Sequence, residues 1–257
     1  MSFLEIKNLT RFFGGLAAVM NLDMEVKKGE IFGLIGPNGA GKSTVLNMIG
    51  GTQRPSRGKI VFNGEDITRL PSHKRTQHGI ARVFQENLLF SSFSVVENVL
   101  VGCHLQSKTG LSSTLFMTRS RKIQEKGLES KALETLEFVG LRQYSNEQAA
   151  NLPHGRQRLL ALAIALAAQP RLLLLDEPVT GMNTEEIETM LKMIRTLRDR
   201  KKITCIIIEH NLKAVMGLCD RIAVLNFGTK IAEGLPEAVV EVPAVKDAYL
   251  GKEDYVT

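Results

Sequence analysis

The sequence predicts an α/β fold: a mixed core with an antiparallel β portion near the N-terminus and an inserted helical subdomain near residues 87–160. Three observations predict it. Short apolar runs broken by glycines fill residues 1–35, helical periodicity fills residues 91–150, and strand-like and helix-like stretches alternate after residue 151. The last pattern is typical of parallel strands joined by helices.

The N-terminal part is predicted to form strands joined by turns. Its runs FLEIKNL, LDMEV and IFGLI are separated by Gly14, Gly15 and Gly29, and glycine favours turns. The segment GKIVFNGEDI adds a hairpin with Asn63 and Gly64 at its tip, because an Asn-Gly pair suits the left-handed geometry of a two-residue turn.

The middle part is predicted to be helical. Leu128, Ala132, Leu136 and Val139 are spaced to fall on one helix face, and Gly140 is placed to end that helix.

The C-terminal part predicts parallel strands that are buried on both faces. The runs LLLLDE and ITCIIIEH are almost continuously apolar and end in acidic or polar residues. The helix between them begins with Glu185 and Glu186 and ends with the basic run RDRKK. These charges match the helix dipole, so the basic run is most simply a solvated helix end.

Composition narrows the class of protein. The 257 residues with a net charge of +6 suit a globular protein with anionic partners such as nucleotides, acidic lipids or nucleic acid. Three cysteines without CxxC spacing support neither a disulfide framework nor a zinc site. The longest apolar run is about half of what a helix needs to cross a bilayer, and the first residues lack the pattern of a secretory signal. We therefore expect a cytoplasmic protein.

The stretch GPNGAGKST, residues 36–44, carries the most specific chemistry. It fits the pattern GxxxxGK[ST] between a strand-like and a helix-like segment, which is the order that a phosphate-binding loop requires. Glycines allow backbone N–H groups to face phosphate oxygens, Lys42 would neutralise the β- and γ-phosphates, and the Ser43 hydroxyl would ligate Mg²⁺. Thr44 would add a hydroxyl near the α-phosphate.

The stretch LLLLDEP supplies the acids that such a loop needs. Asp176 at the strand end can reach Mg²⁺ through water, and Glu177 can act as general base towards an attacking water. His210 ends a further apolar strand, and Gln85 follows the run RVF. Alone, these last two residues would be read as structural, and their meaning comes from their order in the chain.

Six landmarks in one order give a resemblance: the loop at 36–44, Gln85, NLPHGRQ, LLLLDEP, TGMN and His210. The series resembles the nucleotide-binding subunit of ATP-binding cassette (ABC) transporters over essentially the whole chain. The segments LTRFFGGLAAV, SKTGLSSTLF, LLLLDEPVTGMN and VKDAYLGKED also resemble the cytoplasmic ATPase of branched-chain (hydrophobic) amino acid importers.

The resemblance implies one P-loop NTPase (RecA-like) domain over residues 1–257. Residues 1–86 and 161–257 would form the nucleotide-binding core, and residues 87–160 the helical subdomain. The implied cofactors are ATP and Mg²⁺. The implied partners are a second ATPase subunit, alike or different, integral membrane permease subunits and, indirectly, a substrate-binding protein, with no nucleic acid. The implied location is the inner face of the cell membrane, as a peripheral protein.

The resemblance also assigns residues. Phe13 would stack on adenine with Val19 nearby, Gln85 would sense Mg²⁺ and the attacking water, and His210 would bridge the γ-phosphate and Glu177. Catalysis would use Glu177, His210 and Gln85, and metal binding would use Ser43, Gln85 and Asp176. The nucleotide-binding set is Phe13, Val19, Gly36, Pro37, Asn38, Gly39, Ala40, Gly41, Lys42, Ser43, Thr44 and Asp176.

A signature turn, LSGGQ in its common form, would serve the ATP held by the partner subunit. Here it corresponds to Leu152, Pro153, His154, Gly155 and Arg156, with Asn183 in a turn that crosses the dimer interface. Proline offers neither a hydroxyl nor an N–H, so the turn has lost a hydrogen-bond donor. Arg156 and His154 are the candidates to compensate by charge. Phe84, Leu88, Leu89 and Phe90 are candidates for the rim of a groove that receives a membrane-subunit helix, or for local core.

Other functions remain open from the residues alone. An ABC ATPase for another solute, such as urea, an amide or a lipid, shares every landmark. A nucleic-acid ATPase of cassette type usually carries a coiled coil, a metal module or a second cassette, and none is evident here. A P-loop GTPase lacks support because no NKxD stretch occurs, and a small-molecule kinase because no lid-like arginine cluster is obvious. A nucleotide-gated scaffold is disfavoured by Glu177.

Overall fold

Ten strands are present in the computed structural model, which describes residues 2–84, 89–104, 119–210 and 212–250. In chain order they are β1 (Ser2–Phe13), β2 (Leu16–Lys27), β3 (Ile31–Ile35), β4 (Arg57–Phe62), β5 (Glu65–Asp66), β6 (Ile80–Val83), β7 (Leu172–Asp176), β8 (Thr204–Ile208), β9 (Arg221–Asn226) and β10 (Thr229–Gly234). They form two sheets, one antiparallel and one mostly parallel.

Nine helices surround the sheets in the same ranges. They are α1 (Lys42–Gly50), α2 (Ser72–Gln77), α3 (Val95–His104), α4 (Arg119–Phe138), α5 (His154–Ala167), α6 (Thr184–Lys201), α7 (Leu212–Leu218), α8 (Pro236–Val239) and α9 (Pro243–Leu250). None of the helices in the described part of the chain is long and apolar enough to cross a membrane.

The antiparallel sheet has the strand order β2-β1-β4-β5. The turn between β4 and β5 consists of Asn63 and Gly64, with φ of 49° and 84°, which confirms the hairpin predicted from the Asn-Gly pair. The side chains of Leu4, Ile6 and Leu9 in β1 are buried in the apolar core that this sheet covers. The predicted antiparallel portion near the N-terminus is therefore present.

The second sheet has the order β10-β9-β3-β8-β7-β6, and β9, β3, β8, β7 and β6 run parallel. Strands β3, β7 and β8 are buried at every position, as predicted for β7 and β8 from their nearly continuous apolar runs. Ile208 pairs with both Leu34 and Asp176. Because parallel strands end at the same edge of a sheet, the residues that follow β3, β7 and β8 converge there.

Two apolar cores pack against the two faces of this sheet. Along β7, Leu172 and Leu174 belong to the core shared with α1 and the antiparallel sheet, and Leu173 and Leu175 belong to the core shared with the other helices. This alternation follows from the two-residue period of a strand. Burial of each leucine contributes about 1.5–3 kcal/mol, so β7 is held firmly from both sides.

The helical region between β6 and β7 confirms the predicted apolar stripe. Ala132, Leu136 and Val139 are buried together, and Gly140, two residues after the end of α4, has φ of 74°. Helix α3 packs against both α4 and α5. Helix α5 also contacts β6 and contains residue 160, so it extends from the helical region onto the parallel sheet.

Candidate active site

The loop between β3 and α1 is shaped by glycines that other residues could not replace. A Cβ atom on Gly36 would lie 2.1 Å from the carbonyl oxygen of Leu225, and one on Gly41 would lie 2.3 Å from that of Ala18. Both glycines also have positive φ, 145° and 101°. The loop therefore packs closely against the backbones of β9 and β2, and these contacts restrict its conformation.

Lys42, the first residue of α1, points back into that loop. Its Nζ atom donates to the carbonyl oxygens of Gly36 at 2.7 Å and Pro37 at 2.9 Å, and the residue is 7% exposed. Burial lowers the pKa of the Lys42 amine, and the negative charges of Glu177 and Asp176 oppose that shift. The ammonium is thus held at the loop in a place where an anion would stabilise its charge.

The N-terminus of α1 is suited to an anion. Within the described residues, no side chain caps this helix and its first turn carries no acidic residue. Asn38, Gly39 and Ser43 are exposed, Pro37 and Thr44 are half-buried, and Ala40 is buried. The N–H groups of the first turn and the positive end of the helix dipole therefore face the exposed side of the loop.

Glu177 follows β7 at the sheet edge, with φ of 48°. Its N–H donates to the carbonyl oxygen of Ile208 at 3.0 Å, so the unusual backbone geometry is fixed by β8. Its Oε2 accepts a hydrogen bond from the Thr180 hydroxyl at 3.3 Å, and its Oε1 lies 3.8 Å from Nδ1 of His210. The glutamate side chain is 19% exposed and the histidine 57%. The structure thus brings together the acid and the histidine that the sequence analysis selected.

Pro153 separates a 3-10 turn (Ala149–Asn151) from α5 and caps that helix with φ of −55° and ψ of 152°. Within the described residues, no side chain caps this N-terminus either. The first intrahelical bond of α5 runs from the N–H of Gln157 to the carbonyl oxygen of Pro153 at 3.0 Å. The N–H groups of His154, Gly155 and Arg156 precede that bond, so the stretch presents helix donors.

The comparisons with known proteins decide the family. A family model described as ABC transporter matches residues 19–180, which is more than half of the chain. The chain belongs to the ABC transporter family. This confirms the resemblance drawn from the six landmarks, and the cassette is an ATPase that binds nucleotide.

One relative and two solved structures show how far the likeness extends. The high-affinity branched-chain amino acid transport ATP-binding protein LivG of Escherichia coli (strain K12) is 43% identical over 250 residues, covering 97% of this chain and 98% of the relative. An ATP-binding cassette of an ABC transporter in its ADP conformation is 30% identical with a TM-score of 0.86, covering 98% and 100% of the two chains. A dimeric ATP-binding cassette bound to ADP and Pi is 25% identical with a TM-score of 0.76, covering 91% and 98%.

The stretch predicted to be the signature turn packs against the start of α6 in the same chain. A Cβ atom on Gly155 would lie 2.1 Å from Oε1 of Glu186. Glu186 and Asn183 form a capping box: the Asn183 side chain accepts from the N–H of Glu186 at 2.9 Å, and Glu186 accepts from that of Asn183 at 3.0 Å. A side chain at position 155 would therefore displace the Glu186 carboxylate from the capping box.

The other residues of the turn have local partners. The Arg156 guanidinium lies 4.3 Å from the centre of the Tyr144 ring. His154 approaches Gly181, since a Cβ atom there would lie 3.2 Å from the His154 ring. Leu152 is buried, and its carbonyl oxygen accepts from the Gln157 side chain at 3.0 Å. Both residues proposed to compensate for the serine therefore contact other parts of the same chain.

Phe13 and Val19, assigned to the base of the nucleotide, lie in different environments. Phe13 ends β1 and is 43% exposed, and the Arg11 guanidinium lies 4.7 Å from its ring centre. Val19 is fully buried in β2, with a methyl group 3.3 Å from where a Cβ atom on Gly41 would lie. Phe13 can offer a ring face to a base, whereas Val19 is buried and packs against the loop at Gly41.

Two assigned residues cannot be compared with the structure. Gln85 and Leu88 lie outside the described residues. Their neighbours Phe84 and Leu89 are half-buried, and Phe90 is exposed and stacks on Phe93 with ring centres 5.2 Å apart. Phe84 also lines a mostly apolar cavity of about 290 Å³ between β6 and α5.

The sequence analysis missed residues that hold the site together. Arg82 donates to Oδ2 of Asp176 at 2.6 Å and to Oδ1 of Asn47 at 2.5 Å. Glu209 is buried and accepts from the N–H of Val179 at 3.1 Å. Arg158 in α5 reaches the carbonyl oxygens of Phe84 and Thr180, both at 3.5 Å. A charged residue inside an otherwise apolar strand, as in IARVF, was a signal that could have identified Arg82.

Among the described residues, no group of three or more histidine, cysteine or acidic side chains could hold a metal ion. The donors beside the loop are instead the Ser43 hydroxyl and the Asp176 carboxylate. Mg²⁺ prefers oxygen ligands and usually combines one or two protein groups with waters and substrate phosphates. The donor set therefore fits Mg²⁺ bound together with a nucleotide.

Proposed function

We propose that this chain is the ATP-hydrolysing subunit of an ABC importer that powers uptake of branched-chain or other hydrophobic amino acids. The observation that carries the proposal is the convergence at one sheet edge of the phosphate loop, Asp176 at the end of β7, Glu177 directly after it, and His210. The solute class is supported by the identity to LivG over 97% of the chain.

Nucleotide binding would use the loop Gly36 to Thr44. Backbone N–H groups and the start of α1 would donate to phosphate oxygens, and the Lys42 ammonium would move from its two carbonyl acceptors to the terminal phosphates. Such a charge-assisted hydrogen bond contributes about 1.5–3 kcal/mol. Phe13 would stack on the base from its exposed ring face.

Hydrolysis would use Glu177 as general base. The carboxylate would take a proton from water as the water oxygen bonds to the γ-phosphorus and the bond to the β,γ-bridging oxygen breaks. Thr180 and His210 lie beside its two oxygens and would orient it. Gln85 is proposed to contact the water and the metal. A positioned general base contributes about 10²- to 10⁴-fold in rate.

Ser43 and Asp176 would hold Mg²⁺, with Gln85 as a further proposed ligand. When bound, the ion would neutralise charge on the β- and γ-phosphates. The chain's own contribution is to hold a hydroxyl at the start of α1 and a carboxylate at the end of β7.

The working form is proposed to be a dimer in which each signature turn serves the other subunit's ATP. A related cassette with ADP and Pi is dimeric, and the N-terminus of α5 presents helix donors suited to a phosphate. Pro153 removes a hydroxyl donor, which is worth roughly 10- to 150-fold in rate if nothing compensates. In a heterodimer, the partner's ATP site would therefore hydrolyse more slowly than this chain's own site.

Membrane permease subunits are proposed to contact the cassette at the cavity beside Phe84, which would place it on the inner face of the cell membrane. The cavity is lined mainly by small and apolar side chains, among them Ala161, Ile164 and Ala165. Apolar lining of this kind suits an apolar helix face. Leu89 and Phe90 come shortly after Phe84 in the chain and would extend the rim of the cavity.

The decisive experiment measures nucleotide binding and hydrolysis by the purified chain. Labelled ATP should bind with Mg²⁺, and Glu177→Gln should slow hydrolysis by about 10²- to 10⁴-fold while binding is kept. Unchanged hydrolysis in Glu177→Gln, or no retention of nucleotide by the wild type, would overturn the proposal.

Three further measurements test the asymmetry of the dimer, the solute and the alternative of a nucleic-acid ATPase. Replacing Glu177, or its equivalent in a sister ATPase, by Gln in the whole transporter should leave unequal residual rates, and equal rates would contradict the asymmetry. Reconstituted with its co-purifying membrane subunits, the complex should take up leucine, isoleucine or valine on addition of ATP. Uptake of urea, an amide or a lipid instead would reassign the solute. Salt-dependent binding of DNA or RNA would favour a nucleic-acid ATPase.

A further inference from the structure

Arg82 is a charged residue in an apolar strand, and most of its side chain is removed from solvent. It is the third residue of β6, and its neighbours Ala81 and Val83 are buried. A guanidinium stays charged at any physiological pH, so a buried one must be compensated. Asp176 provides the compensation: the two side chains are 10% and 6% exposed, and Nη2 lies 2.6 Å from Oδ2.

The same guanidinium is anchored on a second element. Its Nη1 donates to Oδ1 of Asn47 at 2.5 Å, and Asn47 lies in α1, five residues after Lys42. On a third side, the guanidinium carbon lies 4.6 Å from the centre of the Phe84 ring. Because the planar fork is fixed by α1 and Phe84, it also restricts rotation of the Asp176 carboxylate.

We propose that Arg82 is a positioning residue for the metal-binding carboxylate Asp176, an inference that rests on the proposed function. A carboxylate offers about four lone-pair sites, so Asp176 can accept from Arg82 and from a metal-bound water together. Residues that orient a metal-binding carboxylate change metal affinity or activity by about 10- to 100-fold when they are replaced. Arg82 belongs to that class, although it is not itself a metal ligand.

The position of Arg82 also connects two sites. Arg82 and Phe84 line the cavity between β6 and α5. A partner group that fills this cavity would therefore contact the side chain that holds Asp176. This gives the metal site a direct structural link to the surface proposed for the membrane subunits.

The test separates charge from geometry. Arg82→Lys keeps the positive charge but loses the two-pronged fork, and Arg82→Gln loses the charge as well. For each variant, binding of a non-hydrolysable ATP analogue is titrated by calorimetry as Mg²⁺ is varied, with EDTA as the metal-free reference. The matched control is Arg171→Gln, an exposed arginine that donates to the carbonyl oxygen of His78 at 2.9 Å, away from Asp176.

We expect the Mg²⁺ concentration for half-saturation to rise about 10- to 100-fold in Arg82→Gln and by less in Arg82→Lys, with affinity in EDTA changing less than about twofold. Arg171→Gln should match the wild type. Asn47→Ala removes one anchor of the guanidinium and should give a smaller rise, so the role can be judged even if Arg82→Gln fails to fold.

The outcomes separate the two proposals. If the wild type shows Mg²⁺-dependent binding while Arg82→Lys and Asn47→Ala keep its half-saturating concentration, the positioning role is wrong and the proposed function stands. If the wild type does not bind the analogue with Mg²⁺, the proposed function fails, and the role of Arg82 fails with it. A purely structural arginine would lower the melting temperature without moving the Mg²⁺ titration.

Discussion

The phosphate loop and the signature turn are both helix N-termini, but the chain treats them differently. The loop before α1 has the full pattern of glycines, a buried lysine and a hydroxyl, and its glycines contact the backbone of other strands. The turn before α5 has Pro153 where the common form has serine. The loop is proposed to serve the chain's own nucleotide and the turn its partner's, and on that proposal one chain would combine an intact loop with a weakened contribution to its partner's site.

The largest expected effect comes from the loop's closest contact. Gly36→Ala should abolish detectable ATP binding and lower the free energy of unfolding by about 2–6 kcal/mol, because the added methyl meets the Leu225 carbonyl and the backbone has positive φ. Calorimetry and thermal denaturation measure both. Gly39→Ala is the control for stability. Gly39 also has positive φ, but no atom lies within 4 Å of the added methyl, so the free energy of unfolding should fall by only about 1–2 kcal/mol.

Lys42 provides the next largest effect. Lys42→Met should weaken ATP binding by roughly 10- to 150-fold, the worth of one charge-assisted hydrogen bond. Equilibrium binding of labelled ATP measures the change, and Lys28→Met, which removes an exposed lysine, is the control. Equal affinity in Lys42→Met and wild type would mean that the loop does not bind phosphate through this amine.

Restoring the common serine at position 153 tests the contribution of the signature turn. If nothing compensates for the proline, Pro153→Ser should raise ATP turnover at the partner's site of the assembled transporter by roughly 10- to 150-fold, since it returns a hydroxyl donor. Serine is also a good N-cap, so α5 should gain about 0.5–1 kcal/mol in stability. A gain in stability without any gain in turnover would show that position 153 acts only on the helix.

The smallest effect concerns the cap of α6, which packs against the turn. Asn183→Ala removes one hydrogen bond of the capping box and should cost about 1 kcal/mol of stability. Thermal denaturation measures the loss, with Thr189→Ala as a control at an exposed position of α6, where the hydroxyl donates to the helix carbonyl of Glu185 at 2.9 Å. If Asn183→Ala also slows hydrolysis in the dimer but not ATP binding, its turn contributes at the interface as proposed.

The sequence by itself determined the local elements and the family. Strand, hairpin and helix patterns at LLLLDE, at Asn63 and Gly64 and at Leu136 were confirmed because their residue periods and turn chemistry act within a few residues. The order of six motifs sufficed to identify an ABC cassette.

Only the tertiary structure decided which groups share the site. Arg82 and Asp176 are 94 residues apart in sequence, and nothing local to either shows that β6 and β7 are neighbours in the sheet. The full burial of Val19 beneath Gly41 and the contact of Gly155 with Glu186 likewise depend on strands and helices brought together from distant parts of the chain. Side-chain pairs of this kind arise from sheet order and packing, which a single sequence encodes only through the whole fold.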